Sequence, residues 1–247
     1  MAEFKTHLTV SSLVSSAAAT LLFSASLAIP QEVLLYFVMG VTGGLLPDID
    51  SDSSLTVRLV FSFIATVISF LIMFHQRTGN SAIELYLIWL VSFFMMNYIF
   101  FSLFTRITVH RGLIHSVPAS VLFGLLSVLG LYHCFDFSLA VVWMAGFFLF
   151  GGFLLHLVLD ELVSRNFSGK GLKKSAGTAF KFGSVRDVKS TFAVYFIIVV
   201  LSMAAPDYTQ FVDTYFSSSG YDSLEIFPRG QWFQEIMDRY IIRWQTR

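Results

Sequence analysis

Val109-His110-Arg111-Gly112-Leu113-Ile114-His115-Ser116 sets two imidazoles and a guanidinium between long apolar runs. Two more polar knots share that setting: Pro47-Asp48-Ile49-Asp50-Ser51-Asp52 and His156-Leu157-Val158-Leu159-Asp160-Glu161. Imidazole and carboxylate together suit Zn, Mn or Fe, and carboxylate-rich sets admit two ions. His156 and Asp160 are four apart, so a helix presents both on one face, as two ligands of one ion require. Asp48 and Asp50 follow a helix broken at Pro47, where irregular backbone can turn both carboxylates inward. His110 and His115 are five apart, which is no same-face spacing. We expect His110 in a loop and His115 in the first turn of the following helix. An ionisable group buried unpaired in a membrane costs several kcal/mol or turns neutral, so such groups mark function. Each residue alone has a plainer reading: Asp48 as a helix cap, Arg111 as a snorkelling cation, a lone histidine as an interfacial residue. The last reading is the one given to His75 and His133. Convergence of the others on one face favours a metal site, with His7 a further candidate ligand.

The elements that must position these residues are membrane helices. The chain has 247 residues, 55% hydrophobic and 13% charged, where a soluble domain carries about a quarter charged residues. The expected fold is all-α, a polytopic membrane helical bundle. The 28 phenylalanines suit a lipid-facing surface, and the zero net charge gives no reason to expect nucleic acid. Cys134 is the only cysteine, which excludes an intramolecular disulfide and a cysteine-built metal site. A helical span needs about 20 apolar residues, and seven spans are expected at 8–29, 32–46, 55–74, 82–104, 117–133, 138–160 and 190–205. Lys5 and Ser24-Ala25-Ser26 give the first run the look of a signal peptide. Its apolar part, Leu8 to Ile29, exceeds the usual core of about 7–15 residues, so it reads as a retained span. Gly40 and Gly44 have a spacing that lets helices approach closely.

Counting crossings brings His7, Asp48, Asp50, His110, His115, His156 and Asp160 to one side of the membrane. Lys5, Arg58, Arg106, Arg111, Arg165, Lys170, Lys173, Lys174, Lys181, Arg186 and Lys189 fall on that side, while the short loops opposite hold only Arg77. Positive charge stays cytoplasmic, so the knots face the cytoplasm of a bacterial inner membrane. The loop 161–189 is rich in Lys, Gly and Ser and reads either as a lipid-headgroup contact or as a phosphate grip; Ser168-Gly169-Lys170-Gly171 lacks the P-loop spacing. The chain divides into a transmembrane domain, 1–205, and a polar tail, 206–247. In the tail Trp232, Phe233, Ile236, Met237, Tyr240, Ile241 and Trp244 recur at helical spacing, which predicts an amphipathic helix.

Gly43-Gly44-Leu45-Leu46-Pro47-Asp48-Ile49-Asp50, His110-Arg111-Gly112-Leu113-Ile114-His115-Ser116 and Gly152-Phe153-Leu154-Leu155-His156-Leu157-Val158-Leu159-Asp160 resemble the three motifs of the YdjM-like family. The resemblance covers about 1–190, and it extends to Lys173-Lys174-Ser175-Ala176-Gly177-Thr178-Ala179-Phe180-Lys181 and to an early histidine, His7. It implies a membrane-bound, metal-dependent hydrolase of the inner membrane, of a kind in part controlled by the LexA repressor. A more distant similarity joins it to zinc-dependent phospholipase C and P1-type nucleases. The expected activity is hydrolysis of a phosphoester, with membrane lipid the nearest abundant one, by water that one or two ions activate. Zn is the first expectation, with Mn or Fe as alternatives. Arg111 would offset charge on a phosphoryl oxygen, and Glu161 or Asp52 would act as general base. Two non-enzymatic readings stand beside this: a metal-stabilised scaffold and a metal transporter. A transporter would place polar residues near the midplane and show internal repeats, and the midspans here are almost wholly apolar. An intramembrane protease would need a His-Glu-x-x-His helix, which the sequence lacks.

Overall fold

The computed structural model describes residues 3–50, 55–76, 79–100, 102, 115–164, 181–183, 188–221 and 224. Side chains in a few helical positions, Asp50 among them, lie outside the description. Every regular element among the described residues is helical.

The first helix, α1 (Phe4–Ser24), buries His7, Ser11, Ser15, Ala19 and Leu22 along one stripe. Its large apolar side chains, Leu13, Val14, Leu21 and Phe23, point outward. Small and polar residues inside with bulky apolar ones outside is the arrangement that lipid favours, because packing between helices and not water drives association there. α1 ends as Ser26 takes a left-handed φ of 59°, and the Leu27 N–H reaches back to the Leu22 carbonyl at 2.9 Å to close the last turn.

α2 (Pro30–Leu45) starts on a proline, whose fixed φ suits a first turn. Its Glu32 carboxylate accepts from the Ile29 N–H at 3.0 Å. The helix is sandwiched between α1 and a later helix, α6 (Leu139–Ser164), with its glycines at the contacts. A Cβ at Gly40 would strike Ser15, one at Gly44 would strike Ser11, and one at Gly43 would strike the Leu149 carbonyl. Beyond α2 the chain tightens into a 3-10 turn, Leu46–Asp50.

α3 (Leu55–His75) and α4 (Ala82–Phe94, continuing as a π turn over Met95–Phe100) form a hairpin. The Ser62 hydroxyl donates to Asn97 Oδ1 at 2.7 Å, and Asn97 Nδ2 donates to the Phe93 carbonyl at 3.1 Å. α5 (Val117–Cys134) is capped by Ser116, whose Oγ accepts from the Ala119 N–H at 3.3 Å. α7 (Val188–Ala204) and α8 (Thr209–Tyr215) are bent by 85° at a short break. α8 packs back into the bundle, with Tyr215 in the core and its hydroxyl 2.8 Å from that of Tyr36. Trp143 Nε1 donates to the Pro206 carbonyl at 3.2 Å beside the break.

Helices occur at all seven expected positions, but fewer of them meet the length and apolarity of a membrane span. Four do so among the described residues: Phe4–Ser24, Ala82–Ile99, Val117–Cys134 and Leu139–Val163. The bent pair α7–α8 makes five if taken as one span. α2 has 16 residues, a length of about 24 Å against a hydrocarbon thickness of about 30 Å. A helix enclosed by α1 and α6 need not cover that thickness alone, since irregular backbone is tolerated where protein surrounds it. α3 runs for 21 residues, Leu55–His75, the length a span needs, and its side chains at 55–60, 63 and 64 lie outside the description. The amphipathic helix expected around 232–244 lies outside the described residues.

Candidate metal centre

Four segments bring their polar residues to one end of the bundle. His7 comes from the first turns of α1, Asp48 from the 3-10 turn after α2, His115 from the residue before the α5 cap, and His156 and Asp160 from the last turns of α6. His115 therefore sits outside the helix and not in its first turn as expected, because Ser116 supplies the cap and moves the helix start to Val117. A backbone bond from the Val117 N–H to the Lys181 carbonyl, 3.1 Å, ties this start to the end of the cationic loop.

His156 is the centre of the arrangement. Its ring is fully buried, and its Nδ1 lies 2.8 Å from the Gly44 carbonyl. A carbonyl can only accept, so Nδ1 carries the proton and Nε2 is left with its lone pair. That Nε2 has Asp48 Oδ1 and Asp160 Oδ2 each at 3.7 Å and makes no hydrogen bond among the described residues. His7 stacks on His156 with ring centroids 3.7 Å apart, and its Nε2 lies 3.3 Å from Asp160 Oδ1. His115 meets His156 edge-on at 5.6 Å.

Two donor groups result, His7–His156–Asp160 and Asp48–His115–His156, each with its donor atoms within 4.8 Å of one another. They overlap at His156, which has one nitrogen to offer, so they describe one pocket. Its spacing fits a cation better than direct pairing. Charge-assisted N–H to O contacts close to about 2.7–2.9 Å, whereas ligands about 2.0–2.2 Å from a shared zinc stand roughly 3–4 Å from each other. The donor chemistry, imidazole nitrogen with carboxylate oxygen, also suits Zn, Mn or Fe. Burial holds the Asp48 carboxyl above the usual carboxylate range, offset in part by His7.

Glu161, beside Asp160, is buried but belongs to neither donor group. His110, Arg111 and Asp52 lie outside the described residues, as does the Asp50 side chain. His75 sits 3.5 Å from the exposed Asp136, and His133 packs on Tyr132. One participant went unread in the sequence. The Gly44 carbonyl orients His156, although its motif signalled only close packing.

No curated protein and no solved structure matches the chain. Residues 1–172, which carry every one of these donors, match the family model described as YdjM inner membrane protein. The chain belongs to that family, and it is a protein of the inner membrane.

Proposed function

We propose that the protein is a membrane-bound, metal-dependent hydrolase acting on a phosphoester at the cytoplasmic leaflet, with membrane phospholipid as the substrate class. The observation that carries this reading is His156: its Nδ1 is spent on Gly44, and its Nε2 faces two carboxylates at 3.7 Å. Metal-ligating histidines have this form, one nitrogen held by a backbone acceptor and the other free for the ion. His7, Asp48, His115, His156 and Asp160 would hold one or two divalent ions, Zn before Mn or Fe, with His110 and Asp50 as further ligands. The ion would supply Lewis acidity and bring water toward ionisation near neutral pH.

The chain's own groups supply the remainder. Arg111 follows His110 directly and would bind a phosphoryl oxygen in its planar fork. Glu161 would take the proton from the attacking water, its buried position keeping competing solvent away. Asp160 and Gly44 hold His7 and His156 in place. Phospholipid is favoured because a site at the helix ends of a membrane bundle meets headgroup phosphates first.

Elemental mass spectrometry on detergent-purified protein, wild type beside Asp160→Ala, tests the site. Near-stoichiometric metal that is lost in the variant supports it and justifies a screen of phospholipids and phosphodiesters. Absence of metal in both after reconstitution would reduce the cluster to helix-end packing. A metal-stabilised scaffold is the second reading, because the donors come from four separate segments. Bound metal that raises the melting temperature, with no turnover on any phosphoester, would favour it.

A further inference from the structure

Among the described residues the candidate metal centre is open on one side. His7, His156 and Asp160 are buried, while Asp48 and His115 are half-buried. A substrate phosphate therefore approaches the ion past Asp48 and His115. It brings negative charge toward a cluster that already holds the Asp48, Asp160 and Glu161 carboxyls. Binding it there calls for hydrogen-bond donors or a cation at that rim.

The start of α5 forms the rim next to His115, and a helix start ordinarily offers backbone N–H groups to phosphate. Here those groups are spent. The Val117 N–H donates to the Lys181 carbonyl at 3.1 Å, and Pro118 has no N–H. The Ala119 N–H donates to Ser116 Oγ at 3.3 Å, and the Ser120 N–H to the Ser116 carbonyl at 3.3 Å. Phosphate at this rim has to be met by a side chain instead.

The Val117 bond brings one there. It holds the Lys181 backbone beside Val117, two residues after His115. Two further contacts fix the same short strap. Tyr195 on α7 donates its hydroxyl to the Phe182 carbonyl at 2.8 Å, and Gly183 lies so close to Thr191 that a Cβ would strike the threonine methyl. Lys181 and Phe182 are both exposed, Phe182 by 66%. A flexible four-carbon stem carries the lysine ammonium, so it can sweep the rim from a fixed backbone. A cation followed by an exposed apolar ring, at the ends of membrane helices, has both parts of a lipid contact: the ammonium meets headgroup phosphate and the ring meets acyl chains.

We infer that Lys181 is a substrate-binding residue at the mouth of the metal centre, its ammonium pairing with the phosphate of a lipid headgroup, and that Tyr195 is the positioning residue that holds the strap in place. The inference rests on the proposed phosphoester chemistry for its purpose and commits to a phosphate carried by acyl chains.

The experiment uses the full chain in uncharged detergent, as wild type, Lys181→Gln, Lys181→Arg, Tyr195→Phe and Lys5→Gln. Lys5 is the control. It is exposed at the same end of the bundle but lies two residues before His7 on α1, about 160° round the helix from it. Native mass spectrometry reads binding of dioleoyl phosphatidylglycerol, of dioleoylglycerol, which lacks the phosphate, and of inorganic phosphate as competitor. Lys181→Gln should weaken the phosphatidylglycerol complex about 10-fold or more, as loss of a charge-assisted hydrogen bond does. Lys181→Arg should restore it, and Tyr195→Phe should weaken it with no change of charge. Dioleoylglycerol should not distinguish the variants, and Lys5→Gln should match wild type. Equal losses in Lys181→Gln and Lys5→Gln, or wild-type affinity in Lys181→Gln, would overturn the inference. Inorganic phosphate that binds as tightly as the lipid would overturn the lipid source. Turnover of phosphatidylglycerol by Zn-loaded protein with an unchanged KM in Lys181→Gln would overturn the inference and leave the hydrolase reading standing. Lys181-dependent binding by a protein with no turnover would sink the hydrolase reading and leave the lipid-phosphate site.

Discussion

Gly43→Ala tests whether the separation of α2 and α6 controls the centre. A Cβ at Gly43 falls on the Leu149 carbonyl and close to the Phe153 nitrogen. These are backbone atoms of a packed helix and cannot rotate away. Restoring ordinary carbon contact at about 3.5 Å moves the helices apart by roughly 1 Å or more. Overpacking of this kind costs about 1–3 kcal/mol. The same movement acts on the next residue, Gly44, whose carbonyl lies 2.8 Å from His156 Nδ1. Lengthened by that amount, the contact leaves the hydrogen-bond range. Loss of an outer partner of a ligating histidine weakens metal binding by about 10–100-fold. Gly151→Ala is the matched control on α6, since a Cβ there meets nothing within 4 Å and alanine is the better helix former by about 1 kcal/mol. Thermal unfolding in detergent and Zn competition should show both losses in Gly43→Ala and neither in Gly151→Ala. Equal behaviour of the two variants would refute the claim that α2–α6 contact sets the geometry of His156.

Asp48 gives a pH dependence with a definite sign. Burial raises its pKa and an ion binds the ionised form, so Zn affinity should fall on acidification from a pH above the ordinary carboxylate range. Asp48→Asn should remove that part of the slope, as read from chelator competition across pH. At the opposite end of α2, Tyr36→Phe should lower stability by about 1–3 kcal/mol, because it leaves the buried Tyr215 hydroxyl without its 2.8 Å partner. Adding Tyr215→Phe should recover part of that loss, and Zn affinity should stay unchanged throughout.

Much of this arrangement was legible because it depends on periodicity and parity. His156 and Asp160 share a face by their spacing, and their side chains stand 3.7 Å apart. Alternating crossings put His7, Asp48 and His115 at the same end, where the helices bring them to His156. Of the seven expected spans, four helices, or five with the bent pair, have the length and apolarity of a span among the described residues. The glycines of α2 serve close packing inside the bundle, as their spacing suggested. Beyond Pro206, Phe211 and Tyr215 pack into the core. Gly44 was hidden because its contribution is a main-chain carbonyl that every residue carries.

The approach of His7 to Asp160, 3.3 Å, joins the first helix to the sixth. A nascent chain that has inserted only its first four helices holds His7 and Asp48 but lacks both α6 donors. The proposed ion would be captured only after synthesis has passed α6 and that helix has docked between α2 and α5. Under that proposal, binding energy would become assembly energy and lock the earliest inserted helix to one of the later ones. Metal supply would therefore govern how much correctly assembled protein the membrane retains.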